Sequence, residues 1–187
     1  MQDMVYNAIE RLMSMLKYVR PEEKYVEQFL EAMKESYDND VREWLPLLPV
    51  HYDMYRTIWK RFYQILEDGS LLPENVPASL FRWAIEDEVF IGQYGIAHQL
   101  SEEKAMEIGH ISYAVRHSKW RQGYGYRILS EAIRHCHTLG ISPVYIAVHP
   151  DNSASVHLIE KCGFRFFREL IDANGVVVHI CRLEQDE

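Results

Sequence analysis

The residues best equipped for chemistry lie in one short run, Arg116 to Tyr126, which reads RHSKWRQGYGY. It ends in Gly123-Tyr124-Gly125, and a helical pattern begins at once: Ile128, Leu129, Ala132, Ile133 and Cys136 share one face, with Gly140 as the stop. Glycines let a backbone turn tightly and let a ligand approach the main chain closely. The first amides of a helix have no carbonyl partner within it, so they point at whatever fills the loop. With the positive end of the helix dipole they form an anion site, most naturally for a phosphate or pyrophosphate. Arg116, Lys119 and Arg121 add positive charge in a chain of net charge -8. Glycines before a helix are more often a plain turn. No GK[ST] follows, and Ile128 stands where a dinucleotide fingerprint needs its third glycine, so neither familiar nucleotide loop is present.

A second run, VYIAVHPDNSASVHLIEKCGFRF from Val144 to Phe166, carries the next set of polar groups. Val144–Val148 is an apolar stretch suited to a central strand. Asp151 or Asn152 caps a helix that reaches Lys161, and Gly163-Phe164 opens another strand. Alone, this is a capped helix and a turn.

The elements that must position these runs follow from hydrophobic periodicity. Met13 to Val19 reads as a short strand ending at Pro21. Pro21 opens a helix with Val26, Phe29, Leu30 and Met33 on one stripe. A second helix spans about Tyr52 to Leu66, with Gly69 as its stop. Leu80–Ile85 and Val89–His98 form a hairpin about Glu86-Asp87-Glu88, and Ile108–Val115 is the third strand of a meander. Phe164–Ile171 and Val176–Leu183 close the chain as a hairpin around Asn174-Gly175. The order is strand, two helices, three strands, helix, strand, helix and hairpin. It predicts one α/β domain over residues 1–187, a mixed sheet with helices on its faces, and a peripheral extension over residues 1–11.

Composition narrows the function classes. With 20 basic against 28 acidic residues, the surface repels phosphate backbones, so nucleic acid is not an expected partner. Three separated cysteines, Cys136, Cys162 and Cys181, make no disulfide framework and no CxxC site, and nine histidines include no HExxH. No metal is expected. No apolar run approaches bilayer length and the N-terminus has no signal-peptide pattern, so a cytoplasmic protein is expected, with no membrane partner.

The linked set of motifs resembles the GCN5-related N-acetyltransferase (GNAT) superfamily: a Gly-x-Gly loop opening a helix, then a strand, DN-x-x-[SA] at Asp151–Ser155, and EK-x-GF at Glu160–Phe164. The resemblance covers Leu16 to Leu183 and is strongest from Gly109 to Phe166. The upstream stretch from Asn75 to Leu100, with GHISYAVR, resembles a bacterial branch of predicted acetyltransferases. It implies a mixed, mainly antiparallel central sheet flanked by helices, in which two neighbouring parallel strands splay apart. Those strands would be Ile108–Arg116 and Val144–Val148. A pantetheine arm would fill the gap against Tyr113, Ala114, Val115 and Arg116, much as an added strand would. The pyrophosphate would rest on the amides of Arg121, Gln122, Gly123, Tyr124, Gly125 and Tyr126. Asn152 would reach the cofactor, with Ser155 assisting.

The implied activity is direct transfer of an acetyl group from acetyl-CoA to a primary amine of a small molecule, peptide or protein. No protein nucleophile is required. Two departures stand out. Trp120 occupies the place of the motif's first Arg or Gln, with Arg121 one residue later. Ile159 occupies the place where many members carry a tyrosine general acid. For the base, His110 aligns with a glutamate frequent in that strand, on the face of Ser112 and Ala114 by alternation, and an ordinary imidazole titrates near neutrality. Glu107 is the second candidate. The plain alternative makes His110 a core or edge histidine. Trp44, His51 and Tyr55 would border the acceptor. A homodimer, common in the superfamily, is left open. The rival function is a catalytically silent acyl-CoA sensor or partner-binding module of the same fold. A third is an unrelated α/β protein whose glycine loop is only a turn.

Overall fold

The computed structural model describes residues 16–39, 52–72, 76–172 and 175–184. The N-terminal extension, Trp44, His51, Asn174 and the side chain of Tyr55 lie outside the described residues. Among the described residues seven strands form two sheets. In the first, β1 (Lys17–Val19), β2 (Ser79–Glu86), β3 (Val89–Ala97) and β4 (Ile111–Val115) lie side by side in chain order, every pair antiparallel. In the second, β5 (Val144–Val148), β7 (Val177–Leu183) and β6 (Arg165–Ile171) pair antiparallel, with β7 in the centre. The β2–β3 hairpin turns on Asp87 and Glu88, both at positive φ (51° and 61°), the geometry of the two-residue turn that matches strand twist.

Alternation along the strands sorts the core into two layers. Trp83, Ile85 and Phe90 face α1 (Val26–Asp38) and α2 (Tyr52–Asp68), where they pack on Phe29, Leu30, Met33, Tyr63 and Leu66. Phe29 stacks on Trp83 at 5.0 Å between ring centres. Ala84, Ile91, Tyr94 and Ile96 face the other way, onto Ile128, Leu129, Ala132 and Cys136 of α4 (Tyr124–Thr138). Val144, Ile146 and Val148 of β5 join that second layer, so α4 spans both sheets. Each fully buried large side chain contributes about 1.5–3 kcal/mol, so the apolar stripe of α4 fixes the relation of β4 to β5.

The fold differs from the sequence-based expectation at one place that matters. The strand expected from Ile108 begins at Ile111, and a helix precedes it: α3 (Glu102–Ile108). Ser101 caps α3 by accepting from the Lys104 amide at 3.2 Å, and Glu102 and Glu103 favour its positive end. Gly109, at φ 77°, then swings the chain into β4. The last helix, α5 (Ser153–Lys161), sits where the capping pattern places it. No helix among the described residues is long and apolar enough to cross a membrane.

Candidate functional site

The site begins where the two sheets part. Beside β4 the chain touches β5 through an isolated bridge between Gly109 and Ile146. A Cβ on Gly109 would lie 2.8 Å from the Ala147 amide nitrogen and 2.9 Å from the Ile146 Cα, so this close approach requires glycine. One residue on, the His110 amide donates to the Tyr145 carbonyl at 2.6 Å. The Tyr145 amide donates back, to His110 Nδ1, at 3.0 Å. No ladder joins β4 to β5 beyond that point.

Alternation decides which main-chain groups line this gap. The His110 carbonyl accepts from the Ala97 amide and the Arg116 amide donates to the Ile91 carbonyl, both at 2.8 Å. Even-numbered residues of β4 therefore turn their peptide groups toward β3, and Tyr113 and Val115 turn theirs toward the gap. Ala114 lies between them with its carbonyl against Gly92 of β3. β4 is thus the edge strand of its sheet, and the peptide groups of Tyr113 and Val115 lie on the side away from β3.

At the open end β4 leads through a 3-10 turn, His117–Lys119, into the glycine loop. Arg121 and Gly123 take positive φ (60° and 83°), and Gly123 caps α4 with no side-chain hydrogen bond. A Cβ on Gly123 would meet nothing within 4 Å, so the space before the helix is open. Gly125 serves packing: a Cβ there would come 3.0 Å from Leu158 Cδ2 of α5. The unfilled amides of the first turn, the open space and the exposed Arg121 together fit a phosphate-bearing ligand.

The loop is braced throughout. Trp120 Nε1 donates to the Val115 carbonyl at 2.8 Å, and Gln122 Nε2 to the Ser118 carbonyl at 3.2 Å. Glu86, at the end of β2, accepts from the Tyr124 hydroxyl and from Arg127 Nη1, the latter at 2.8 Å. Arg116 turns its guanidinium to Glu35 and Glu31 of α1, which leaves its main chain, not its charge, at the site. Sequence reasoning missed Glu35 and Glu86. Their partners are far away in sequence, and no local pattern marks them.

Asn152 caps α5 by accepting from the Ser155 amide at 3.1 Å, so its side chain is held at the start of that helix. Ile159 is buried in the core, 1% exposed. The position that carries tyrosine in many superfamily members therefore faces inward in this chain.

The two base candidates sit differently. His110 is buried, and burial holds its pKa below the ordinary 6.5. Because Nδ1 accepts from the Tyr145 amide, the proton of the neutral ring is on Nε2. Glu107 is exposed on α3 and accepts from Lys104 Nζ at 2.8 Å, which holds its carboxyl below the usual range. A cavity of about 580 Å3 is lined by Asp68, Ala78, Gln99, Ser101, Lys104 and Ile108 among others.

A family model described as an acetyltransferase (GNAT) domain matches residues 16–165. No curated protein matches the chain. Among solved structures, RimL, a ribosomal L7/L12 alpha-N-protein acetyltransferase in complex with coenzyme A, superposes with a TM-score of 0.69 at 15% identity, covering 90% of this chain and 93% of that one. The microcin C7 self-immunity acetyltransferase MccE, in complex with acetyl-CoA and AMP, gives 0.68 at 17% identity, covering 91% and 92%. The ribosomal-protein-S5-alanine acetyltransferase from Vibrio fischeri gives 0.66 at 11% identity, covering 92% and 93%. At these identities the likeness concerns the fold.

Proposed function

Because the chain belongs to the GNAT acetyltransferase family, we propose that it moves an acetyl group from acetyl-CoA directly to a primary amine. The observation that carries this reading is the order of two features along the chain: β4 is the edge strand of its sheet, and it leads into a glycine loop that opens α4 with no side-chain cap. A sheet edge that leads into an anion cradle suits a ligand with an amide-bearing arm and a pyrophosphate. Bound acetyl-CoA would supply the thioester, whose acetyl carbon the amine takes while the thiolate leaves.

The chain's own residues hold and orient. The β4 edge at Tyr113, Ala114 and Val115 runs along the pantetheine arm, the Val115 carbonyl being already bonded to Trp120 Nε1, and the amides from Arg121 to Tyr126 take the pyrophosphate. Asn152 and Ser155 border it from α5. His110 keeps the closed end of the gap at its width. In the tautomer fixed by Tyr145 it is a donor at Nε2, so it becomes a base only by releasing that amide. We therefore read His110 as a positioning residue, with the amine proton leaving to water. Glu107, tied to Lys104, is the weaker base. The net charge of -8 favours a cationic acceptor. The neighbours' names, for ribosomal proteins and for microcin immunity, support leaving that acceptor open between protein and smaller amines.

One observation favours the rival reading, an acyl-CoA sensor without turnover. Ile159 lies in the core and His110 Nδ1 is engaged, so neither place offers a ready acid or base. Calorimetric titration of acetyl-CoA decides the first step. Wild type should bind in roughly the micromolar range, Gly123→Trp should not, and Gly123→Asn, which tolerates a left-handed backbone, should retain binding. Circular dichroism checks that all three fold. Thiol release across a panel of amines then separates transferase from sensor. A wild type that binds no acetyl-CoA overturns both.

A further inference from the structure

Glu35 lies in the last turn but one of α1, more than 80 residues from the loop it holds. Its carboxylate accepts four hydrogen bonds: from Arg116 Nε at 2.8 Å, Arg116 Nη2 at 2.5 Å, the Ser118 amide at 3.2 Å and Ser118 Oγ at 2.8 Å. Glu31, one turn earlier, accepts from Arg116 Nη2 at 3.2 Å. These partners bracket the bend where β4 leaves its sheet and the loop begins. The Arg116 side chain is 13% exposed and that of Glu35 27%, so solvent screens this fork less than a surface pair. Both Arg116 bonds converge on Glu35 Oε1 and both Ser118 bonds on Oε2, so the carboxylate holds the two residues together and fixes a direction that a point charge does not.

The loop's other braces come from within it or from the far side. Trp120 and Gln122 bond back to Val115 and Ser118, and Glu86 holds the first turn of α4. Only the α1 carboxylates, among the described partners, anchor the bend itself to the helical layer on the opposite face of the sheet. We propose that Glu35 is a positioning residue for the cofactor's pyrophosphate: through Arg116 and Ser118 it presets the loop so that the amides from Arg121 to Tyr126 converge on one anion. Arg116 serves as a strut under the loop, its charge answered inside the protein. Presetting matters because a loop that must be ordered on binding subtracts that ordering from affinity. The inference rests on the coenzyme A reading above.

The test compares two ligands that share the pantetheine arm, of which only one carries the pyrophosphate and adenosine. Coenzyme A uses both the β4 edge and the loop, whereas acetyl-pantetheine has the arm without the pyrophosphate. For Glu35→Gln, calorimetry should show coenzyme A weakened roughly tenfold, with acetyl-pantetheine within about twofold of wild type. Arg116→Lys, which keeps the charge and loses the fork, should show the same split. Glu27→Gln, on the same helix as Glu35, breaks an exposed pair with Arg56 of α2 and should show neither effect. Equal weakening of both ligands would mean a general loss of structure and would overturn the inference, as would unchanged affinity for coenzyme A in both variants. If wild type fails to bind coenzyme A at all, the proposed function falls and takes this inference with it.

Discussion

The Tyr145 amide donates to His110 Nδ1 across the point where the sheets separate, and both residues are buried. That bond gives His110 a structural task with a measurable signature. His110→Ala leaves a buried amide without its acceptor, a loss of roughly 1–3 kcal/mol in denaturant unfolding. His110→Asn supplies Oδ1 in the same place and should recover most of it. The pH dependence has a definite sign. Burial lowers the folded-state pKa below 6.5, so the unfolded chain takes up a proton first as pH falls. The contribution is complete above about pH 6.5 and drains away as pH drops through the folded value. Wild type should lose stability over that window more steeply than His110→Asn. Parallel curves would remove His110 as the titrating group.

Turnover should separate position from proton transfer. A ring fixed as an Nε2 donor is not the general base, so His110→Asn should keep kcat within about tenfold at saturating cofactor, below the usual span for a lost acid–base group. The acid limb of its kcat/KM profile should match wild type. Glu107→Gln should change kcat by less than about threefold, since its carboxylate is exposed and bound to Lys104. A fall of about a hundredfold in His110→Asn, with that limb abolished, would restore the imidazole as base.

What the sequence disclosed and what it withheld divide by distance along the chain. Gly123 and Asn152 act on groups within three or four residues, so the glycine loop and the α5 cap were readable locally. Glu35 and Arg116 are 81 residues apart and Glu86 and Tyr124 are 38 apart, and no periodicity links such pairs. α3 escaped because seven residues hold two turns, too few to show a stripe, although Ser101 and the acids after it marked its start. Ile108 and Ile111, apolar on either side of Gly109-His110, read equally well as one strand. Only the fold shows that the first ends a helix and the second begins β4.

Tyr63 links the α2 layer to the sheet. Its hydroxyl accepts from Trp83 Nε1 at 3.0 Å and donates to Gln93 Oε1 at 2.9 Å, all within the buried core. Tyr63→Phe keeps the ring and removes both bonds. The expected cost is about 1–3 kcal/mol of unfolding free energy, with affinity for acetyl-CoA unchanged because these bonds join Tyr63 to Trp83 and Gln93 and not to the glycine loop. A Trp83→Phe background should absorb part of the cost, since one of the two bonds is already gone. Additive losses would show that the hydroxyl and the indole are not coupled.

Gly92 sets how closely β3 can support the edge of β4. A Cβ there would lie 2.3 Å from the Ala114 carbonyl oxygen, 3.0 Å from Ile128 Cδ1 and 3.1 Å from the Val115 Cα. Two of those three contacts are backbone, which cannot rotate aside as a side chain does. Gly92→Ala must therefore push β4 off β3 at the residues that line the gap, and it should cost roughly 1–3 kcal/mol or more. Affinity for acetyl-CoA should fall in the fraction that remains folded, because Val115 moves with the strand. Gly140→Ala is the control: a Cβ there meets nothing within 4 Å, and only its positive φ of 74° resists the change. That variant should lose about 1 kcal/mol and bind normally. Equal stability of Gly92→Ala and wild type in urea titration would show that β4 is not seated on β3 as closely as this geometry requires.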